Sequence, residues 1–150
     1  MKKARSAPRS HCPVNFALEA IGDRGALLVV RDIVFRGKRT YGEFLKSGEG
    51  FATNILATRL EHLVATGILA REGDAADGRK AVYTLTEKGL DLIPILFEMV
   101  LWSARHDPHS EARRIPGLVE LIRKDPRKAC LRTAESVRKG EAVVRQYLQA

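Results

Sequence analysis

The sequence predicts a mainly α-helical fold with one small β-hairpin, an α+β class, on three observations. Between Thr53 and Thr66 apolar residues recur at helical spacing, with Leu56, Leu60 and Leu63 at i, i+4 and i+7. Just upstream, the short amphipathic stretch Tyr41 to Lys46 is separated from that helix by Ser47-Gly48-Glu49-Gly50, a turn of helix-turn-helix length. Just downstream, two β-prone runs, Ile68 to Arg71 and Val82 to Leu85, bracket the loop Gly73 to Lys80. A helix-turn-helix followed by such a hairpin is a winged helix-turn-helix domain.

Each element has its own justification. Residues 1–11 mix Lys, Arg, Ser and Pro and read as a flexible basic arm. Cys12-Pro13 opens the first helix, because proline suits the first helical position and the residue before it becomes the N-cap. Phe16, Ala17, Ala20 and Ile21 share one face before Gly22 stops the run. A second helix is expected from Ala26 to about Phe35, with Leu27, Val30, Ile33 and Val34 inward and Arg31 and Asp32 outward, ended by Gly37. In the helix after the turn, Leu56, Leu60 and Leu63 face the core with Ile55 or Val64, leaving an outer face that is small and polar. Gly67 caps it.

Thr86, with Glu87 in the next turn, is expected to start a long helix to about His106. Its apolar stripe, Leu90, Ile93, Leu96, Phe97, Val100 and Leu101, is wider than one small domain covers, so a partner helix from a second copy is the simplest occupant. Pro94 sits inside that pattern as a candidate kink. Beyond Asp107-Pro108 the composition shifts to alternating Arg, Glu and apolar residues, and Pro116 and Pro126 mark two further helix starts. The organisation is thus an arm over 1–11, a winged helix domain with its dimerisation helix over 12–107, and a helical C-terminal extension over 108–150.

Composition narrows the function classes. At 150 residues and 45% apolar the chain can bury a core. Its longest apolar run, Ala26 to Val30, is too short to span a bilayer, and the basic start is not followed by a signal-peptide core, so a soluble cytoplasmic protein is expected. Net charge is +8, with +4 from residues 1–10, +5 from residues 108–150 and −1 from the remainder. Basic ends suit a polyanion; they also suit a solubilising arm and a solvated tail. Cys12 and Cys130 are too few for a disulfide framework. No Gly-rich phosphate loop, serine elbow or paired-acid motif occurs, and Pro108 interrupts the alignment of His106 and His109, so no metal, cofactor or catalytic site is expected.

Taken together, His11-Cys12-Pro13-Val14, Leu27-Leu28-Val29-Val30-Arg31-Asp32, Arg39-Thr40-Tyr41-Gly42-Glu43-Phe44-Leu45, Thr53-Asn54-Ile55-Leu56-Ala57-Thr58-Arg59-Leu60 and Tyr83-Thr84-Leu85-Thr86-Glu87-Lys88-Gly89 resemble the HxlR family of bacterial winged-helix transcription regulators, over residues 12 to about 105. The resemblance implies a dimer paired through the first and long helices. Phe16 then joins Leu90, Ile93, Phe97, Val100 and Leu101 at the interface. It also implies sensing, in some members, through a cysteine near the start of the first helix. Where the family usually carries Lys-Trp, this chain has Arg24-Gly25, which leaves space between helices.

The candidate DNA readers are Thr53, Asn54, Ala57, Thr58 and Arg59 on the recognition helix: Thr and Asn hydrogen-bond bases or phosphates, Arg reaches guanine, and Ala57 allows close approach. Thr53 or Asn54 as a helix cap, and Arg59 as a solvated surface residue, are the structural alternatives. On the wing, Arg79 and Lys80 are placed for phosphate or minor-groove contact, with Asp74 and Asp77 partly cancelling them. Cys12, at the positive end of a helix dipole with Arg9 and His11 nearby, is the redox-sensing candidate; the alternative is an inert cap. Cys130 and Trp102 read as packing residues. The leading function is a sequence-specific regulator, a repressor, bound as a homodimer to a pseudo-palindromic operator in double-stranded DNA and answering a small-molecule or oxidant effector. The alternatives are a winged helix used as a protein–protein module and a small thiol enzyme, which lacks a base for Cys12.

Overall fold

The computed structural model describes residues 9–73 and 80–148. Residues 1–8 of the basic arm, and Asp74, Asp77 and Arg79 of the wing, lie outside the described residues.

Helix α1 (Pro13–Ile21) starts at Pro13 and ends where Gly22 N–H bonds the Leu18 carbonyl. Helix α2 (Arg24–Arg36) begins two residues earlier than its apolar pattern suggests, because the Asp23 side chain accepts from Ala26 N–H at 3.1 Å and caps it. It is the spine of the fold: Ala26, Val29, Val30 and Val34 are wholly buried. Helix α4 (Thr53–Ala65) lies against it and helix α3 (Tyr41–Leu45) against α4, with Phe44, Leu56, Leu60 and Leu63 closing the core. Val64 packs inward, whereas Ile55 stays 46% exposed.

Strands β1 (Leu69–Glu72) and β2 (Val82–Leu85) pair antiparallel, Leu69 opposite Leu85 and Arg71 opposite Tyr83. The other edge of β2 is also used: Tyr83 N–H donates to the Arg39 carbonyl at 2.8 Å and Thr40 bridges Val82. The chain entering α3 is thereby fixed to the base of the wing. Gly89 explains itself sterically, since a Cβ there would run into the Ile68 carbonyl and the Leu85 side chain.

The long helix expected from Thr86 to His106 is two helices, α5 (Glu87–Leu90) and α6 (Ile93–His106). Thr86 caps α5 by accepting from Gly89 N–H at 3.1 Å. Pro94 is tolerated only in a first turn, where its missing N–H is not needed, so it starts α6 rather than kinking a continuous rod. After a short 3-10 turn (Glu111–Arg114) the extension supplies α7 (Pro116–Lys124), α8 (Pro126–Arg138) and α9 (Val143–Leu148). The 3-10 turn and α9 are too short to show periodicity in the sequence.

One hydrophobic core runs from the winged helix into the extension. Phe35 of α2 stacks on Phe97 of α6 at 6.3 Å between centroids, and Leu118, Ile122, Ala129, Val137 and Val143 continue the same cluster. Such an aromatic pair adds about 1 kcal/mol beyond the area it buries. Arg138 also reaches both carboxylate oxygens of Glu87, at 3.0 and 3.1 Å. Among the described residues, no helix is long and apolar enough to cross a membrane.

Candidate nucleic-acid interface

The geometry that aims α4 outward is built from capped ends and buried charge. At the start of α3, Thr40 accepts from Glu43 N–H while the Glu43 carboxylate accepts from Thr40 N–H at 2.9 Å and Arg39 N–H at 2.7 Å. These backbone donors, that of Arg39 foremost, hold the Glu43 carboxyl below the usual carboxylate range. Tyr41 then donates its hydroxyl to the Thr53 carbonyl at 2.9 Å, tying the first turn of α3 to that of α4.

The turn between α3 and α4 is clamped by an ionic cluster that sequence reading missed. Asp32 is fully buried, not outward. Its carboxylate takes Arg31 at 2.6 Å, Arg36 at 3.3 Å and Lys38 at 3.3 Å, which compensates the cost of removing it from water. Arg31 bonds Glu49 of the turn at 2.6 Å, Arg24 reaches the same carboxylate at 3.2 Å, and Arg36 donates to the Ser47 carbonyl at 3.0 Å. Burial disfavours the Arg31 charge, but the hydrogen bonds to Glu49 and Asp32 outweigh it and raise its pKa. The Arg31 hydrogen bond, in turn, holds the Glu49 carboxyl below its ordinary value. Arg31 therefore fastens α2 to the turn.

With the turn fixed, the first two turns of α4 face solvent: Thr53, Asn54, Ile55 and Thr58 are exposed and Ala57 is half-buried. The N-cap position is Ala52, which has no side chain to cap with, so neither Thr53 nor Asn54 is the cap. The N–H groups of that first turn are left to an outside acceptor, and a helix N-terminus with open N–H groups suits phosphate. Thr58 donates its hydroxyl to the Asn54 carbonyl at 2.9 Å and keeps its oxygen lone pairs available. Glu61, exposed one turn further on, bounds the face with a charge that repels phosphate.

Residues 20–111 match the HxlR-like helix-turn-helix family model. The chain belongs to this family. Among its relatives are the uncharacterised HTH-type transcriptional regulator YybR of Bacillus subtilis (strain 168), 32% identical over 73% of this chain and 86% of that one. Another is the uncharacterised HTH-type transcriptional regulator Rv3095 of Mycobacterium tuberculosis (strain ATCC 25618 / H37Rv), 30% identical over 83% of this chain and 78% of that one. In solved structures, the fold is similar to PA1607, a proposed transcription factor (37% identity, TM-score 0.59, 69% of this chain and 72% of that chain). It is also similar to the reduced form of the transcriptional regulator YodB from B. subtilis (26% identity, TM-score 0.52, 68% of this chain and all of that one).

In this HxlR-like chain the remaining candidates separate into those that share the outer face and those that do not. Arg59 lies on the inner flank of α4, its Nε 2.7 Å from Asp23 Oδ1. The N–H does not point along that line, so the contact is an ion pair rather than an aligned hydrogen bond. Arg59 and Phe51 also pack where a Cβ on Gly25 would sit, at 3.3 and 3.4 Å, so the space expected at Arg24-Gly25 is filled on this side. Lys80 is exposed at the return of the wing. Lys46, exposed at the C-cap of α3, is a cation beside the turn that sequence reading passed over as a helix end.

The expected dimer residues divide as well. Leu90, Ile93 and Phe97 are 7%, 1% and 2% exposed, covered by the chain itself, and Val100 and Leu101 are half-buried. Phe16 is exposed, with Lys88 Nζ 5.9 Å from its ring centroid. What α6 offers to solvent instead is Ile95, Met99 and Trp102, at i, i+4 and i+7, while α1 offers Val14, Phe16 and Leu18. Cys12 is exposed, and its side chain makes no capping hydrogen bond. Cys130 is half-buried in α8, where burial pushes its thiol pKa up. Among the described residues no His, Cys, Asp and Glu cluster is suited to a metal.

Proposed function

We propose that the protein is a sequence-specific DNA-binding regulator that represses transcription as a homodimer. The observation that carries this reading is the uncapped, exposed start of α4, held at a fixed angle by the buried Asp32 cluster. Asn54 and Thr58 supply hydrogen-bonding groups for base edges, Thr53 and the open N–H groups take phosphate, and Ala57 permits close approach. Lys46, Lys80 and Arg79 add phosphate contacts on either side of the groove. Arg59 supports the helix from behind through Asp23, rather than reading guanine.

The homodimer reading is supported by the exposed apolar strip on α6, Ile95, Met99 and Trp102, and by the exposed apolar residues of α1, which a second copy would cover. Two copies would then place two α4 helices on a pseudo-palindromic operator. Repression follows from such occupancy where the operator overlaps a promoter, and the exposed Cys12 is the oxidant-responsive candidate.

The test is selection of bound fragments from random duplex DNA, followed by footprinting and a salt titration. The reading requires a two-fold symmetric footprint and an affinity that falls steeply with salt. A protein that retains no duplex from the pool would leave the protein–protein alternative in its place.

A further inference from the structure

The DNA face leaves unused a cleft of about 800 Å³ walled by α2, α6, the 3-10 turn and α9. That volume is in the range of small-molecule sites, roughly 300–1,000 Å³. Its floor is apolar, with Leu27, Leu28, Phe35, Leu96, Met99 and Val100. The α2 wall is striped along one helix face: Arg24, then Leu27 and Leu28, then Arg31, then Phe35. Part of the outer wall, Val144 and Leu148, comes from α9, beyond the segment that the family model matches.

Positive charge gathers on the α2 wall of this cleft, which Arg24, Arg31 and Arg36 line. Arg24 is 79% exposed and spends a single contact on Glu49, at 3.2 Å. Arg114 has no ion pair among the described residues. Of the acids that line the cleft, Asp23 pairs with Arg59 and caps α2, while Asp107 and Glu111 belong to the end of α6 and the 3-10 turn rather than to the α2 wall. An apolar chamber with guanidinium donors at one wall is complementary to an organic acid: a hydrocarbon body with one carboxylate.

We propose that this cleft binds a small amphipathic carboxylic acid, an aromatic or medium-chain acid, whose carboxylate engages Arg24 beside Arg31. Because Arg24 and Arg31 also hold Glu49, the bound acid competes with the carboxylate that fastens the helix-turn-helix turn. Binding therefore loosens the turn and lowers DNA affinity. This regulatory half rests on the DNA-binding reading above; the ligand site does not.

The test is calorimetric titration of the full chain with octanoate and benzoate, paired with octanamide and benzamide. One acid should bind per chain, with each amide at least about tenfold weaker, as the loss of a charge-assisted hydrogen bond requires. Arg24→Gln, at an exposed site, should weaken both acids about tenfold, and Leu28→Trp should fill the floor and abolish binding. On DNA selected by the ligand-free protein, saturating acid should reduce wild-type affinity and leave the Leu28→Trp protein unaffected. Amides binding as tightly as acids, or acid binding unchanged by both substitutions, would overturn the site. A stoichiometry of one acid per two chains would assign the cleft to a second copy's contact and overturn it equally. Acid binding that leaves DNA affinity unmoved would overturn the coupling, whereas loss of all DNA binding in the ligand-free protein would strike the DNA reading instead.

Discussion

Replacing Asp32 by Asn isolates the cluster that sets the angle of α4. The substitution keeps size and shape but removes the charge that faces Arg31, Arg36 and Lys38 at 2.6, 3.3 and 3.3 Å. Breaking a fully buried pair costs about 3–5 kcal/mol because the abandoned partner stays desolvated. Here the three cations are 19%, 35% and 18% exposed, so water screens them in part and Arg31 keeps Glu49. The lower end of the range, about 3 kcal/mol, is therefore expected. For a domain of this size that corresponds to a fall in Tm of roughly 6–12 °C. Urea denaturation followed by circular dichroism should show a lower midpoint with an unchanged slope. A loss under about 1 kcal/mol would refute the reasoning, since it would mean that the cations hold the turn without their buried counter-charge.

Further outcomes follow from particular residues. Gly89→Ala should destabilise by about 1–3 kcal/mol in the same assay, because the new methyl meets the Ile68 carbonyl and neither backbone can yield freely. Met99→Glu and Trp102→Glu should give folded monomers by light scattering, whereas Phe97→Asp should unfold the chain, because Phe97 belongs to the core. The Glu49 carboxyl is lowered in the folded state by Arg31, so its contribution to stability is present above the ordinary glutamate range and lost as pH falls through the lowered value. The urea midpoint should drop on acidification, and Glu49→Gln should flatten part of that drop. At neutral pH iodoacetamide should modify exposed Cys12 faster than Cys130, whose thiolate is disfavoured by burial; the reverse order by mass spectrometry would remove Cys12 as a thiol-based sensor.

The order of helices and strands was legible because this chain punctuates itself. Pro13, Pro116 and Pro126 open helices, Gly22 and Gly37 close them, and Leu56, Leu60 and Leu63 leave α4 one way to face. What stayed hidden depended on partners distant in the chain. Asp32 reads as an outward charge until Arg31, Arg36 and Lys38 fold around it, and the ion pair of Arg59 with Asp23 joins residues 36 positions apart that periodicity alone does not bring together. On α6 almost every face is apolar, so periodicity could not say which side the chain covers for itself. The chain's own core took Leu96 and Phe97, the latter against Phe35 of α2, leaving Ile95, Met99 and Trp102 outside. The open start of α4 is a signal of a different kind: Ala52 where Ser, Thr, Asp or Asn would ordinarily cap is readable in the sequence once the boundary is known.

The central claim is that the exposed first turns of α4 read sequence. Its most direct test compares affinity for selected DNA with affinity for random DNA, at one fixed salt concentration, for the wild type, Asn54→Ala and Thr58→Ala. If these side chains read bases, each substitution should cost about 1–3 kcal/mol on the selected site and little on random DNA, so that the ratio of the two affinities collapses. Equal losses on both DNAs, or no loss on either, would contradict the claim and leave α4 as a phosphate-positioning element only.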